Sequence, residues 1–373
     1  MEGWPVHVVV AGAGLLAGCV FGAVAQYTRF CTMGAIGDVV FQGDYRRWRA
    51  WVLAIAVAIL GTQTLYGAGL IDVYQSLYLT PNLGWLGALM GGLVFGFGMT
   101  MSGGCGQRTL VRLGEGNLRS LVAAVVLAIF AYMTLRGVTG LARVQLERAT
   151  NVDLRRVGLT SQGIVDLLAA VTGVSAPVVR CLVVVSLVGV LLWYCFKDVT
   201  FRASRRDIAA GLMVGGLIPT GWVITGWLGS DAFEPVPVAS FTFVAPVGES
   251  LQYLMTFTGA TVNFGIAAVG GVLVGASAMA LLRQEFRLET FADVHDLLRH
   301  LCGGALMGMG GVVALGCTIG QGITGMSTLA SGSLLAWLGL LAGGFGGMQY
   351  RKQGSFTGAC KALLVRREPA GKA

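Results

Sequence analysis

Three of the eight cysteines stand where a thiol can do more than pack: Cys31 in "RFCTMGAIGD", Cys105 in "SGGCGQRT" and Cys317 in "LGCTIGQG". Two of them close a repeated phrase. Gly91–Cys105 reads "GGLVFGFGMTMSGGC" and Gly303–Cys317 reads "GGALMGMGGVVALGC"; six of fifteen positions match at a spacing of 212 residues, five glycines and the cysteine. Each cysteine precedes a short, helix-capable stretch. A helix that starts there presents unpaired N–H groups and the positive end of its dipole, which suits an anion. A thiol is a weak, soft S–H donor. The pairing therefore favours a large, soft, sulfur-bearing anion over sulfate or phosphate. Candidate lining residues flank the thiols: Thr32, Gly104, Gly106, Gln107, Gly316, Thr318 and Gln321. Arg108 and Arg112 either attract the anion or mark the cytoplasmic side, and Glu249 either lines the path or sits at a helix start. Asp38 is expected to cap its helix or pair with Arg29.

Other chemistry is disfavoured. No CxxC pair or Cys/His cluster occurs, which argues against a zinc site, and the pattern implies no cofactor. Cys19, Cys181 and Cys195 lie in apolar runs, where a thiol behaves as a small hydrophobe. The net charge of +8 does not point to nucleic acid, because the basic residues gather at the ends of apolar runs.

The elements that must position these thiols are membrane helices. The chain is 55% hydrophobic and 12% charged, about half the charge of a soluble domain. Nine apolar segments approach or exceed the roughly 20 residues that span a bilayer: 5–27, 50–70, 85–103, 120–136, 176–196, 208–229, 260–282, 301–316 and 332–349. The first is too long for a signal h-region and lacks a basic flank. Four further stretches, within 29–42, 106–114, 245–257 and 318–330, read as short helices dipping into the membrane, where irregular backbone is tolerated only if protein or a wet cavity satisfies it.

Twenty of the 26 Lys and Arg fall in alternate connections and the tail, while 71–84, 230–259 and 317–331 hold none. The positive-inside rule then places the N-terminus outside and the C-terminus in the cytoplasm. The loop 137–175 is an exception, with four arginines among acidic residues. Four spans, one linking span and four spans invert the second half relative to the first, the plan of many transporters. The expected organisation is a first membrane repeat over 1–140, a polar loop and linking helix over 141–207, a second inverted repeat over 208–350, and a basic cytoplasmic tail over 351–373. Glycines four apart, Gly92 and Gly96 or Gly304 and Gly308, have packing as their plainer role. Position 243, 212 residues after Cys31, is Phe, so the third thiol is not duplicated.

"RFCTMGAIGD", "SGGCGQRTLVRLGEGNLRSLVA" and "GCTIGQGITGMSTLASGSLLA" resemble, in order and over nearly the whole chain, the motifs of the YeeE/YedE sulfur-transport family. The resemblance implies an all-α polytopic protein of the bacterial inner membrane, with nine spanning and four short helices in an hourglass of pseudo-two-fold halves. It implies thiosulfate uptake, with the anion handed along Cys31, Cys105 and Cys317 by S–H hydrogen bonds. It further implies a TusA-like cytoplasmic sulfur carrier as partner, beside membrane lipid. Three alternatives stand beside it: a selenium or other reduced-sulfur cargo, a membrane sulfurtransferase, and a structural membrane subunit. For the second, no general base accompanies either midplane thiol.

Overall fold

The computed structural model describes residues 5–231, 236–291 and 293–353 of the 373. They form fifteen α-helices in chain order: α1 Val6–Thr28, α2 Thr32–Gly37, α3 Arg46–Gly67, α4 Trp85–Met101, α5 Gly106–Gly114, α6 Leu118–Arg136, α7 Val138–Thr150, α8 Ile164–Thr172, α9 Ala176–Phe196, α10 Val199–Ala203, α11 Arg205–Val223, α12 Ala245–Met255, α13 Phe264–Leu282, α14 Val294–Val313 and α15 Ser331–Gln353. π-helical turns follow α2 at Asp38–Gln42 and α11 at Ile224–Leu228, and form the short helix at Gly320–Gly325. Two-residue strands at Asn82–Leu83 and Val152–Asp153 pair antiparallel.

Eight segments are long and apolar enough to cross a membrane. The chain is a multi-pass, all-α membrane protein. The expected segment at 301–316 becomes α14, which starts earlier, at Val294, and carries His295, Asp296, Arg299 and His300 in its first half. That polar first half keeps α14 outside the eight, although at 20 residues it is as long as its neighbours. All four expected short helices are present: α2 with its π turn, α5, α12 and 318–327.

Small residues set the packing. α1 lies against α13 and α11 against α3; α4 lies against α15 and α14 against α6. Helices in lipid gain no hydrophobic drive from one another, so close backbone approach supplies the attraction. At the centre α4 crosses α14. A Cβ on Gly91 would fall 2.8 Å from the Gly310 carbonyl oxygen, and one on Gly310 would fall 2.7 Å from that of Gly91. The same holds for Gly98 and Gly303, at 2.9 and 2.8 Å. Adding 212 to Gly91 and Gly98 gives Gly303 and Gly310, so each contact maps onto the other. Gly92 and Gly96 meet the α15 backbone at Ala336 and Leu340; Gly304 and Gly308 meet that of α6 at Ala123 and Leu127. Packing is thus what these glycines do.

The loop 137–175 is wired to the end of the bundle where α3 stops and α15 begins. The Ile164 amide donates to the Leu329 carbonyl (2.8 Å) and that of Ser331 to Gln162 (3.1 Å). Arg180 donates to the Tyr74 hydroxyl (2.9 Å), which donates to Asp166 (2.9 Å). On α9, Leu182, Val185, Val190 and Trp193 are exposed, an apolar surface facing lipid.

Candidate functional site

Each of the three cysteines occupies the same backbone elbow. Two residues before it a helix ends in the left-handed region: Arg29 at φ 55°, Gly103 at φ 73° and Leu315 at φ 59°. The next amide reaches the carbonyl five residues back: Phe30 to Ala25 (3.2 Å), Gly104 to Met99 (3.0 Å), Gly316 to Gly311 (2.7 Å). This is the Schellman closure of a helix. The cysteine then opens the next helix, its carbonyl accepting from the amide four residues on: Ala35 (3.0 Å), Thr109 (2.8 Å) and Gln321 (2.8 Å). Glycine fills the left-handed position only before Cys105; Arg29 and Leu315 adopt it at a cost of about 1 kcal/mol each.

The three elbows converge. The Cys31 and Cys105 thiols come near enough to act on one another, and the Thr318 side chain stands beside Cys105. Cys317 lies beside Thr242 and accepts from the Gly320 amide at 3.3 Å. Cys105 and Cys317 are fully buried, Cys31 nearly so. Cys105 Sγ sits 3.8 Å from Gln107 Oε1. Four buried polar atoms here lack a nitrogen or oxygen partner: Thr32 Oγ1, Gln107 Nε2, Thr318 Oγ1 and Gln321 Oε1. Such atoms normally cost 1–3 kcal/mol each unless something satisfies them. Phe21 stacks on Phe241 with centroids 5.3 Å apart, and Phe243 is tilted against both at 5.1 and 6.3 Å.

Cavities open at the two ends. One, of about 680 Å³, is walled by Cys31, Gly103, Arg29, Arg47, Arg108, Arg112 and Arg287 with Glu115, Glu285 and Glu289. Arg108 pairs with Glu115 (3.0 Å) and Arg112 donates to the Gly103 carbonyl (3.4 Å). Arg112 and Arg287 have no carboxylate within 4.0 Å among the described residues. The Glu285 carboxyl is held below its usual range, chiefly by the hydrogen bond from Gln26 and then by Arg283 and Arg29. The other cavity, about 240 Å³, is walled by Tyr78, Arg143, Gln162, Gln321 and Ser333 among others. Cys105, Thr318 and Cys317 lie between them and line neither, so the centre is closed from both ends.

Two expectations are corrected. Asp38 pairs with Arg47 (3.0 Å), while Arg29 faces Glu285 (3.8 Å): the left-handed turn at Arg29 carries its side chain toward α13. Glu249 lines neither cavity; in the middle of α12 it accepts from Asn263 (2.9 Å), the cap of α13, and so is not a helix-start carboxylate either. Nothing in the sequence marked Arg47 as more than a topology signal, or marked Tyr78 and Thr242 at all. Arg47 sits in a basic run and the other two in unremarkable loops, with no local signal of convergence. Cys360 lies outside the described residues.

Fold and site define a polytopic membrane protein with a closed, thiol-bearing polar core between two unlike cavities. The family model described as "Sulphur transport" matches residues 27–346, and the chain belongs to that family. The chain is similar to the thiosulfate transporter TsuA of Escherichia coli (strain K12), 30% identical over 88% of this chain and 90% of the relative. It is also similar to the thiosulfate transporter TsuA of Spirochaeta thermophila, 28% identical over 88% and 96%. The probable transporter YedE of Salmonella typhimurium is 30% identical over only 32% of this chain and 29% of the relative.

Proposed function

We propose that the protein carries thiosulfate across the bacterial inner membrane into the cytoplasm, passing it from Cys317 to Cys105 to Cys31. One observation carries this reading: three thiols in matching elbows form a buried row between two cavities, with unpartnered polar atoms around them. Each S–H donates to the anion in turn, and no covalent bond forms, so the protein is a transporter rather than an enzyme. Thr32, Gln107, Thr318 and Gln321 supply further polar contacts, and Gly104, Gly106 and Gly316 leave backbone accessible. Several moderate sites serve passage better than one tight site, since the guest must also leave.

The basic cavity lies at the cytoplasmic end, where the positive-inside rule puts Arg29, Arg47 and Arg287. The N-terminus is outside and the C-terminus inside. Residues 1–140 and 208–350 act as inverted repeats around the midplane, joined by 141–207; the cytoplasmic tail expected over 351–373 lies, after Gln353, outside the described residues. A TusA-like sulfur carrier is the partner on the cytoplasmic side. Uptake of labelled thiosulfate into liposomes tests the reading: wild type transports and Cys105→Ala does not. A wild type that moves no thiosulfate refutes it.

A further inference from the structure

The last turn of α15 carries two cations, Arg351 and Lys352. α15 has 23 residues. At about 1.5 Å per residue it crosses the hydrocarbon and leaves this turn at head-group depth. Arg299 on α14 is close enough to act on Arg351 electrostatically. None of the three has a carboxylate within 4.0 Å among the described residues. Arg351 Nη1 donates to the Thr100 carbonyl at 3.4 Å. Gathered like charges repel one another, so the cluster favours an anion among them. Arg351 and Lys352 wall a cavity of about 370 Å³ together with Met33, Phe41, Gln42 and Met348. The one acid lining it, Asp38, is paired with Arg47 at 3.0 Å. Phe41 is half exposed, and Lys352 Nζ lies 5.8 Å from its ring centroid. Cations at the end of a span, beside an exposed aromatic ring and two methionines, suit a phosphate that carries apolar chains. The wall opposite α15 is α2 and its π turn. Met33 and Gly34 line both this cavity and the basic one, and Cys31 caps α2.

We propose that this cavity binds the phosphate of an anionic phospholipid through Arg351 and Lys352, with Arg299 adding its charge, and that the bound lipid braces α2 behind Cys31. The binding stands by itself; only the bracing rests on the transport reading. The source is a lipid rather than free phosphate because the cations end a membrane span, where head groups are already at hand.

The test is native mass spectrometry of the delipidated full chain, titrated with phosphatidylglycerol or with phosphatidylethanolamine. Wild type should bind phosphatidylglycerol at least tenfold more tightly. A cation at a membrane surface contributes about fivefold, so Arg351→Gln combined with Lys352→Gln should weaken that binding about thirtyfold. Arg351→Lys combined with Lys352→Arg keeps both charges and should keep the lipid, which separates lost charge from lost fold. In liposomes, thiosulfate uptake by wild type should rise as phosphatidylglycerol replaces phosphatidylethanolamine, and the glutamine pair should not respond. Equal binding of the two lipids by wild type, or unweakened binding in the glutamine pair, overturns the site. Release of the bound lipid by inorganic phosphate at equal concentration makes it a phosphate site and overturns the lipid. Wild-type uptake that ignores lipid composition overturns the bracing alone. No uptake by wild type in any liposome overturns transport and the bracing with it, while the mass spectra still decide the site.

Discussion

Arg47→Ala is expected to slow thiosulfate uptake about tenfold while the bundle stays folded. Arg47 stands at the start of α3 and lies across the elbow that carries Cys31. Its Nη2 donates to the Arg29 carbonyl at 2.6 Å, and its Nη1 meets Asp38 at 3.0 Å. Between these anchors it covers Gly34, where a Cβ would fall 2.8 Å from Nη1. One side chain thus ties down both ends of the turn around Cys31. Arg29 is left-handed there, which costs about 1 kcal/mol for a residue with a Cβ. A charge-assisted hydrogen bond contributes about 1.5–3 kcal/mol when shielded, and less at the 31% side-chain exposure of Arg47. The bond and the strain are therefore close in size, and losing the bond lets the turn relax. A shift of about 1.4 kcal/mol changes the population of the aligned thiol tenfold. Two readouts apply: uptake rate in liposomes, and the alkylation rate of Cys31 from the basic cavity. Arg47→Ala should lower the first and raise the second. Arg47→Lys, a point charge that lacks the fork, should fall between. Wild-type uptake together with wild-type alkylation in Arg47→Ala would refute the clamp.

Other outcomes follow from the same geometry. Alanine at Cys31 or Cys317 should lower uptake at least tenfold, whereas serine at the exposed Cys181 and Cys302 should leave it unchanged; uptake assays of each decide. Gly96→Ala, whose Cβ would lie 2.2 Å from the Leu340 carbonyl oxygen, should cost about 1–3 kcal/mol. Gly12→Ala, with nothing within 4 Å, should not, and thermal unfolding in detergent compares them. Leu315→Gly should raise the unfolding temperature, relieving about 1 kcal/mol of left-handed strain. Burial, opposed by Arg180, pushes the Tyr74 phenol up to about 12 from an ordinary 10.0. A group raised on folding lends stability below its unfolded value and loses it as pH rises through the folded one. Stability should therefore fall between pH 10.0 and about 12, less steeply in Tyr74→Phe.

The long helices were legible because bilayer crossing imposes a length and a polarity that single segments must meet alone. α14 was shortened because its first half is polar: its neighbours α4 and α6, not its own composition, keep it in the bundle. The short helices α5 and 318–327 were legible from the Gly-flanked cysteines before them. The pairing of Arg29 with Glu285 rather than with Asp38 was not, because a left-handed residue redirects a side chain in a way spacing does not reveal.

The sequence by itself determined that this is a helical membrane protein, that glycines would bring its spans close, and that Cys31, Cys105 and Cys317 head short helices. Those properties are local: hydropathy, residue size and the start of a helix are written in consecutive residues. Only the tertiary structure decided that Cys31 comes near Cys105, that Thr318 and Thr242 stand beside the thiols, and that Arg47 and Tyr78 line the two cavities. Those contacts join residues tens to hundreds of positions apart, and the crossing of α4 and α14 at Gly91 and Gly310 fixes how those two helices meet.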